Sequence, residues 1–347
     1  MRLVTFVGDG PELGVLHAEW IVRPAAALRA ARSRLGSPSS NPESARLPEN
    51  MVGFFQAGAG AVAIAEEAVY LATEAWRSGD PLIDDGRPVM VPMGDARLLA
   101  PVPRPQRIRD YLTYGGHAKG SGLEATSAMH AMPICYEANP NSVIGPDVPL
   151  AWPSYTDQLD FELEIGFFTS TGGRDLSPEQ AANHIAGVTI FNDVSARDVQ
   201  FFEMSMSLGP SKGKSFCNAM GPCVVTADEI DEWDIQLTAS VNGEVWASGT
   251  TADRQFSFAE VLAWASLDED IYPGEFLAVG TIAGGCGLEL DRWIRPGDVV
   301  ELEAAGIGLL RNPVASKSSV PDGAGVSTFT GAPIVPSARL SSHTEHE

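Results

Sequence analysis

The chain has 347 residues, and its 45 Asp and Glu residues outnumber 23 Lys and Arg residues, which leaves a formal net charge of −22. An acidic excess of this size repels phosphate, so it excludes nucleic acid as a partner and opposes binding to an anionic membrane surface. With 44% hydrophobic residues the composition is that of a globular protein, without the uninterrupted apolar run of about 18 residues expected of a membrane-spanning helix. Asp9 lies where a signal peptide would have its apolar segment, so we expect a cytoplasmic protein. The four cysteines form no C-x-x-C pair, and we expect them to be reduced thiols.

The first 100 residues predict a small N-terminal accessory domain of helices and strands. Residues 1–8 alternate like a strand, residues 14–22 suit its hairpin partner, and the alanine-rich segments 25–32 and 58–76 have helical spacing. Four prolines between positions 92 and 105 disfavour helices and central strands, so we expect the domain boundary there.

Residues 101–312 predict a second, mostly β domain, which makes the fold class α+β. Short apolar runs in this segment end at Gly or Pro, and helices are expected at 177–187 and 257–266. The regular strand–helix alternation of a doubly wound sheet is missing. Residues 313–347 are rich in Ser, Pro, Gly and Ala and predict a disordered tail.

A cluster of acidic residues follows the strand pattern in LDFELEIGFF. Strand periodicity places Asp160, Glu162 and Glu164 on one face and apolar residues on the other. Two glutamates two residues apart on one face can meet a single cation. The alternative is an ordinary half-buried strand with a solvated acidic face.

The apolar run GVTIFND ends in Asp193, which predicts an acid delivered from a buried strand to a cleft. The alternative is that Asp193 or Ser195 caps a helix beginning at Ala196. Together with Glu162 and Glu164, Asp193 would form an all-carboxylate site. Hard oxygen ligands favour Mg²⁺, Mn²⁺ or Ca²⁺ over Zn²⁺ or Cu²⁺.

Cations and a histidine complete the set of candidate residues. Arg197 and Gln200 share a face of a predicted helix, and Lys214 lies in a Gly- and Pro-rich loop, so they could bind a substrate carboxylate and stabilise an enolate. For each cation the alternative is a solvent-facing charge. His117 follows two glycines in a predicted loop that suits an exposed catalytic base, and Glu289 is a candidate for orienting it.

Six separated motifs resemble, in order, those of the fumarylacetoacetate hydrolase family: IRDYLTYGGH, LDFELEIGFF, FNDVSARDVQ, GPSKGKSF, VGTIAGGCGLEL and PGDVVELEAAGIGLLRN. The resemblance covers roughly residues 1–312, is weak over the first hundred and is specific from 108 onward. It implies the family's β-sandwich roll as the catalytic domain, a homodimer, and one divalent cation, Mg²⁺ or Mn²⁺ with Ca²⁺ as a third candidate.

The resemblance also implies roles for individual residues. The metal ligands are Glu162, Glu164, Asp193 and Asp110, of which the last binds metal in some members only. The catalytic residues are His117, Glu289 as its orienting partner, and Lys214. The substrate contacts are Arg197, Gln200, Tyr136 and Thr281.

The function expected from this resemblance is hydrolysis of a carbon–carbon bond in a small anionic 1,3-dicarbonyl acid. The alternative is a decarboxylase, tautomerase, isomerase or hydratase of a related 2-oxo acid, which would use the same metal-bound enolate. Two departures bear on this choice: Gly115 and Gly116 replace a common Glu-Gln pair and should loosen the His117 loop, and Met204 replaces a tyrosine of the true hydrolases. Two other classes are a non-catalytic binding protein and a dinucleotide-dependent oxidoreductase. Against the oxidoreductase, no G-x-G-x-x-G motif follows a predicted strand of this chain.

Overall fold

The computed structural model describes residues 1–34, 47–122, 127–331 and 334. The helices are α1 Pro24–Arg34, α2 Met51–Arg77, α3 Gly115–Gly120, α4 Ser127–Ala131, α5 Pro178–Ala182, α6 Arg197–Met204, α7 Phe258–Ser266 and α8 Gly287–Leu290. The first ten strands are β1 Arg2–Val7, β2 Pro11–His17, β3 Trp20–Val22, β4 Ile83–Asp84, β5 Arg87–Pro88, β6 Met90–Pro92, β7 Ile108–Leu112, β8 Ile134–Ala138, β9 Val143–Ile144 and β10 Leu150–Trp152. The other ten are β11 Leu159–Asp160, β12 Leu163–Thr169, β13 Ile185–Asp193, β14 Ser195–Ala196, β15 Asn218–Thr226, β16 Gln236–Val241, β17 Glu244–Thr250, β18 Phe276–Ala278, β19 Val299–Ala304 and β20 Gly308–Lys317.

One large sheet runs through the molecule. Among the described residues it has 11 strands in the order β6-β3-β2-β1-β15-β13-β12-β18-β7-β8, with β9 beside β15. A second sheet of five strands has the order β10-β20-β19-β16-β17. This arrangement, in which the helices after residue 106 are short and the strands form two main sheets, confirms the predicted α+β class.

The N-terminal strands and the later strands belong to the same sheet, because Arg2 of β1 pairs with Val225 of β15. The predicted domain division at residues 100 and 312 stays a prediction. Strand β20 extends to Lys317, into the segment predicted as a tail. Residues 332–333 and 335–347 of that predicted tail lie outside the described residues.

The large sheet separates two hydrophobic cores. Phe167 of β12 packs with α7 and the second sheet on one face, and Phe168 packs with α1 and α2 on the other. Every residue of β12 is therefore buried, and the chain around Asp160, Glu162 and Glu164 has no solvated face. The alternative interpretation, a half-buried strand with a solvated acidic face, is wrong because the large sheet is covered on both sides.

By length and composition, helix α2 is long and apolar enough to cross a membrane. Its sequence is not an uninterrupted apolar run, because it contains Gln and Glu residues. Gly58 interrupts it with a positive φ of 65°, so it consists of two helical segments. Its Phe54, Ala65 and Ala68 are buried in the core beneath the sheet, whereas only 28% of its most apolar 18-residue window is buried, so the helix packs on the sheet through one face.

The two helices predicted after residue 176 begin where expected, at capping boxes, but the first ends at Ala182, and residues 185–187 of the predicted helix belong to β13. Ser177 caps α5 together with Gln180, and Ser257 caps α7 together with Glu260. Each serine accepts a backbone N–H while the partner side chain accepts the N–H of the serine, which satisfies two otherwise unpaired donors.

Candidate active site

Three strands of the large sheet, β7, β12 and β13, bring the acidic residues together. Glu162 immediately precedes β12, Glu164 lies within it, and Asp193 ends the adjacent β13, whose Asn192 pairs with Leu163. Asp110 comes from β7, on the far side of β18. The sheet order thus places these side chains at one site although they are distant in sequence.

The four carboxylates form a compact buried cluster. One oxygen from each of Asp110, Glu162, Glu164 and Asp193 lies within 4.8 Å of the others, and all four residues are buried. Thr281 donates a hydrogen bond to Glu164 Oε1 at 2.8 Å, whereas Glu164 Oε2 is buried without a hydrogen-bond partner. An unpaired buried carboxylate oxygen is costly unless a cation accompanies it.

Lys214 is the cation closest to this cluster. Its Nζ lies 2.5 Å from Glu162 Oε2 and 2.5 Å from Asp193 Oδ2, and the side chain is almost fully buried. Tyr136 donates its hydroxyl to the same Asp193 oxygen at 2.5 Å. The alternative that Lys214 is a solvent-facing charge is therefore wrong.

Arg197 contacts the cluster through Glu162 and also pairs with Asp160. Its guanidinium is 2% exposed, with Nη2 2.7 Å from Asp160 Oδ2 and 2.8 Å from Glu162 Oε1. It also donates to Gln200 Oε1 at 3.0 Å. Arg197 does not line the cavity described below, so in this structure it holds Glu162 in place.

The crowding of buried acids changes their ionisation. Burial raises the pKa of Asp110 and Glu164 well above the ordinary values, and the neighbouring carboxylate charges raise them further. Burial also raises the pKa of Asp193, against the charge of Lys214. For Glu162 burial acts in the same direction, but the charges of Lys214 and Arg197 outweigh it and lower the pKa.

The donor set fits a divalent cation. Five buried carboxylates, the four of the cluster and Asp160, face two buried cations, Lys214 and Arg197. The site therefore has more carboxyl groups than cations, and an added cation would favour the ionised forms of Asp110 and Glu164. Its ligand atoms would all be oxygens, which suits Mg²⁺ or Mn²⁺.

A histidine–glutamate pair lies beside the cluster. His117 Nδ1 is 2.8 Å from Glu289 Oε2, and its Nε2 is 3.7 Å from Glu162 Oε1. Glu289 is held in turn by the backbone N–H of Gly284, which donates to Oε1 at 3.0 Å. The predicted pairing of His117 with Glu289 is thus present in the geometry.

The glycines around His117 allow close packing of the short helix α3. A Cβ atom at Gly116 would lie 2.7 Å from the Cβ of Ala283, and one at Gly120 would lie 2.2 Å from Glu289 Oε1. The predicted effect of Gly115 and Gly116 was a looser loop. The structure instead shows a helix at this position, where Gly116 permits a contact that a larger side chain would prevent.

A cavity of about 210 Å³ opens above these groups. Of the predicted site residues, those that line it are Asp110, His117, Tyr136, Glu162, Glu164, Gln200, Lys214 and Thr281. Asp193, Arg197 and Glu289 lie behind this lining, each bonded to a residue of it. The structure therefore gathers all the predicted site residues around one cavity, and their individual roles stay predictions.

Comparisons with known proteins identify the family. A family model described as "Fumarylacetoacetate (FAA) hydrolase C-terminal" matches residues 107–315. The chain belongs to this family.

Two relatives of the chain carry the name oxaloacetate tautomerase. The mitochondrial Fahd2a of Rattus norvegicus is 30% identical over 271 residues, covering 77% of this chain and 80% of its own length. YisK of Bacillus subtilis is 32% identical over 230 residues, covering 65% of this chain and 75% of its own length. The main function predicted from the sequence, a carbon–carbon hydrolase, is therefore wrong, and these relatives support the tautomerase named in the alternative.

Solved structures share the fold. The 5-carboxymethyl-2-hydroxymuconate delta-isomerase of Mycobacterium smegmatis has a TM-score of 0.63 at 24% identity, covering 91% of this chain and 100% of its own. The maleylpyruvate hydrolase of Sphingobium sp. SYK-6, solved with manganese(II) and pyruvate, has a TM-score of 0.64 at 20% identity and covers 92% of this chain and 100% of its own. They confirm the predicted family fold.

Sequence reasoning did not assign a role to Asp160, which organises this family site. Its carboxylate accepts from Arg197 Nε at 2.8 Å and from the backbone N–H groups of Gly287 and Leu288 at 2.8 and 3.0 Å. It thereby ties the helix that carries Glu289 to the strand region that carries the metal-binding candidates. The acidic alternation of LDFELEIGFF was a signal for Asp160, but it did not distinguish a ligand from a support.

The helix-capping alternative for Asp193 and Ser195 is wrong. Helix α6 begins after Ala196 without a side-chain cap. Ser195 Oγ instead donates to the backbone oxygen of Asp193 at 2.9 Å, and Asn218 Nδ2 donates to Asp193 Oδ1 at 3.2 Å. Asp193 is therefore directed into the carboxylate cluster.

Proposed function

We propose that the protein is a divalent-cation-dependent keto–enol tautomerase of a 2-oxo acid. The supporting observation is that a histidine held by Glu289 lines the same cavity as a buried cluster of four carboxylates. A base that can carry a proton thus lies beside a candidate cation site. The tautomerase relatives support the reaction class. The homodimer and the cytoplasmic location stay predictions.

The cation would be held by Glu162, Glu164, Asp193 and Asp110. When bound, Mg²⁺ or Mn²⁺ supplies a Lewis acid that polarises substrate oxygens and stabilises negative charge on them. Burial and neighbouring carboxylates raise the pKa of Asp110 and Glu164, and a cation held among the four residues would favour their ionised forms.

The protein groups would move one proton from carbon to oxygen. With Nδ1–H donated to Glu289, the Nε2 lone pair of His117 is free to accept the proton from C3 of the keto acid. The electron pair of that C–H bond forms the C2=C3 double bond, and the C2 oxygen takes a proton from water. The hydroxide that remains takes the proton from His117 Nε2, which restores the neutral imidazole and the water. The ammonium of Lys214 stabilises the negative charge on that oxygen while the proton is in transfer. No bond between carbon atoms breaks.

The direct test follows the decay of enol oxaloacetate by its ultraviolet absorbance with Mg²⁺ or Mn²⁺ present. We expect the wild-type protein to accelerate ketonisation and a chelator to abolish the effect. Because general-base catalysis contributes about 10²- to 10⁴-fold, His117→Ala should lose activity on that scale. The matched control is His184→Ala, a histidine outside the cavity that bonds to Thr171.

The same variants should separate the proton carrier from the cation site. His117→Ala should keep the rise in melting temperature that added Mn²⁺ produces, because the four carboxylates remain. Full turnover in His117→Ala, or no cation-dependent ketonisation by the wild type of either enol oxaloacetate or enol phenylpyruvate, would contradict the proposed function.

A further inference from the structure

The cavity changes from polar to apolar as it leaves the carboxylate cluster, first along β7 and β8. In their antiparallel pairing Asp110 is opposite Tyr136, and Leu112 is opposite Ile134. Residues two apart on a strand share a face, so Leu112 and Ile134 follow the polar pair on the cavity side about 7 Å further out. All four residues line the cavity, together with Tyr111 and Cys135, which lie between them on the two strands.

Helix α6 repeats this change on another wall. Arg197 is buried beneath the cluster, Gln200 bonds to it and lines the cavity, and Met204 lines the cavity four residues later. Residues four apart lie on one helix face, so Met204 sits one turn, about 6 Å, beyond Gln200. Pro210 lines the same apolar end.

Positive charge is confined to the polar end. Among the described residues that line the cavity, the basic ones are Lys214 and His117. Lys214 pairs with Glu162 and Asp193, and His117 pairs with Glu289.

We propose that the substrate carries an uncharged, apolar group on C3, such as an aryl or alkyl group, and that the site takes it in preference to a dicarboxylate. The proposal rests on the tautomerase function and specifies its substrate class. A distal carboxylate would lie against Leu112, Ile134 and Met204 and lose hydration without gaining a partner. A hydrocarbon group in the same place would leave water for an apolar surface.

The experiment compares ketonisation of enol phenylpyruvate with that of enol oxaloacetate under the same cation. We expect at least a tenfold higher kcat/KM for phenylpyruvate. Inhibition by 3-phenyllactate and malate, which carry the same two distal groups and cannot tautomerise, should show the same order of affinity. This second readout measures binding alone.

Met204→Arg places a guanidinium at the apolar end and should shift the kcat/KM ratio at least tenfold toward oxaloacetate. The matched control is Met206→Arg, because Met206 is 73% exposed and does not line the cavity. It should leave the ratio unchanged. If Met204→Arg does not fold, the phenyllactate-to-malate ratio of the wild type decides the question.

The outcomes distinguish a failure of this substrate proposal from a failure of the proposed tautomerase function. If neither enol is accelerated, the tautomerase proposal fails and this inference fails with it. If oxaloacetate is preferred and malate binds more tightly than phenyllactate, the apolar-end proposal is overturned and the tautomerase function stands.

Discussion

Replacing Gly120 with alanine should slow the proposed reaction by displacing Glu289. A Cβ atom at this position would lie 2.2 Å from Glu289 Oε1 and 3.0 Å from its Cδ, so the carboxylate would have to move. The same carboxylate accepts from the Gly284 N–H at 3.0 Å and pairs with His117 Nδ1 at 2.8 Å. Moving it breaks one or both of these interactions.

The expected loss follows from the strength of the His117–Glu289 bond. A hydrogen bond to a charged group contributes about 1.5–3 kcal/mol. Because about 1.4 kcal/mol of activation free energy is a tenfold change in rate, kcat should fall about ten- to a hundredfold. KM should change less, since Glu289 does not line the cavity.

The assay is ketonisation of the enol substrate by Gly120→Ala, with melting temperature as the measure of folding. Gly60→Ala in α2 is the matched control, because a Cβ atom there meets nothing within 4 Å. It should retain wild-type kcat. A folded Gly120→Ala variant with wild-type kcat would refute the role of Gly120 in positioning Glu289.

Three further substitutions test the physical basis of the fold and the site. Lys214→Met should lower the unfolding free energy by about 3–5 kcal/mol, because Glu162 and Asp193 lose a shared buried cation. The measurement is urea unfolding in the presence of a chelator, and an unchanged unfolding free energy would contradict this pairing. Ser257→Ala removes the capping box of α7 and should cost about 1 kcal/mol of stability without changing kcat, and a loss of kcat would show a role beyond capping. Burial raises the pKa of Glu275, against the hydrogen bond donated by the Tyr272 N–H, and its Oε2 has no partner. The folded state therefore holds that proton more tightly than the unfolded state, so this carboxyl's contribution to stability falls as pH rises through its folded pKa. The unfolding free energy of Glu275→Gln minus that of the wild type should thus increase from about pH 4 to about pH 7, and a flat difference would refute it.

Features that depend on neighbouring residues were predictable. The helices after Ser177 and Ser257 begin at local capping boxes, and the apolar run before Asp193 is a buried strand ending in an acid. The family motifs also identified the residues now found around one cavity. These features rest on interactions over a few positions, which the order of residues specifies directly.

Some contacts between distant residues were not predictable. The contact of Gly116 with Ala283, and the space that Gly120 leaves for Glu289, join segments far apart in the chain. The place of Arg197 beneath the cavity follows from its pairing with Asp160 and Glu162 across β11, β14 and α6. The sequence alone could not distinguish this support from a substrate contact.

The sequence by itself determined the kinds of chemical group this protein can offer, namely carboxylates for a hard cation, a histidine with a candidate glutamate partner, and lysine and arginine charges. The tertiary structure decided how these groups act together: the sheet order gathers four acids at one buried place, and the faces of β7, β8 and α6 place apolar side chains at the opposite end of the cavity. The physical reason is that strand and helix periodicity act over short stretches of chain, whereas burial and electrostatic interaction depend on which distant side chains exclude water and share a low dielectric.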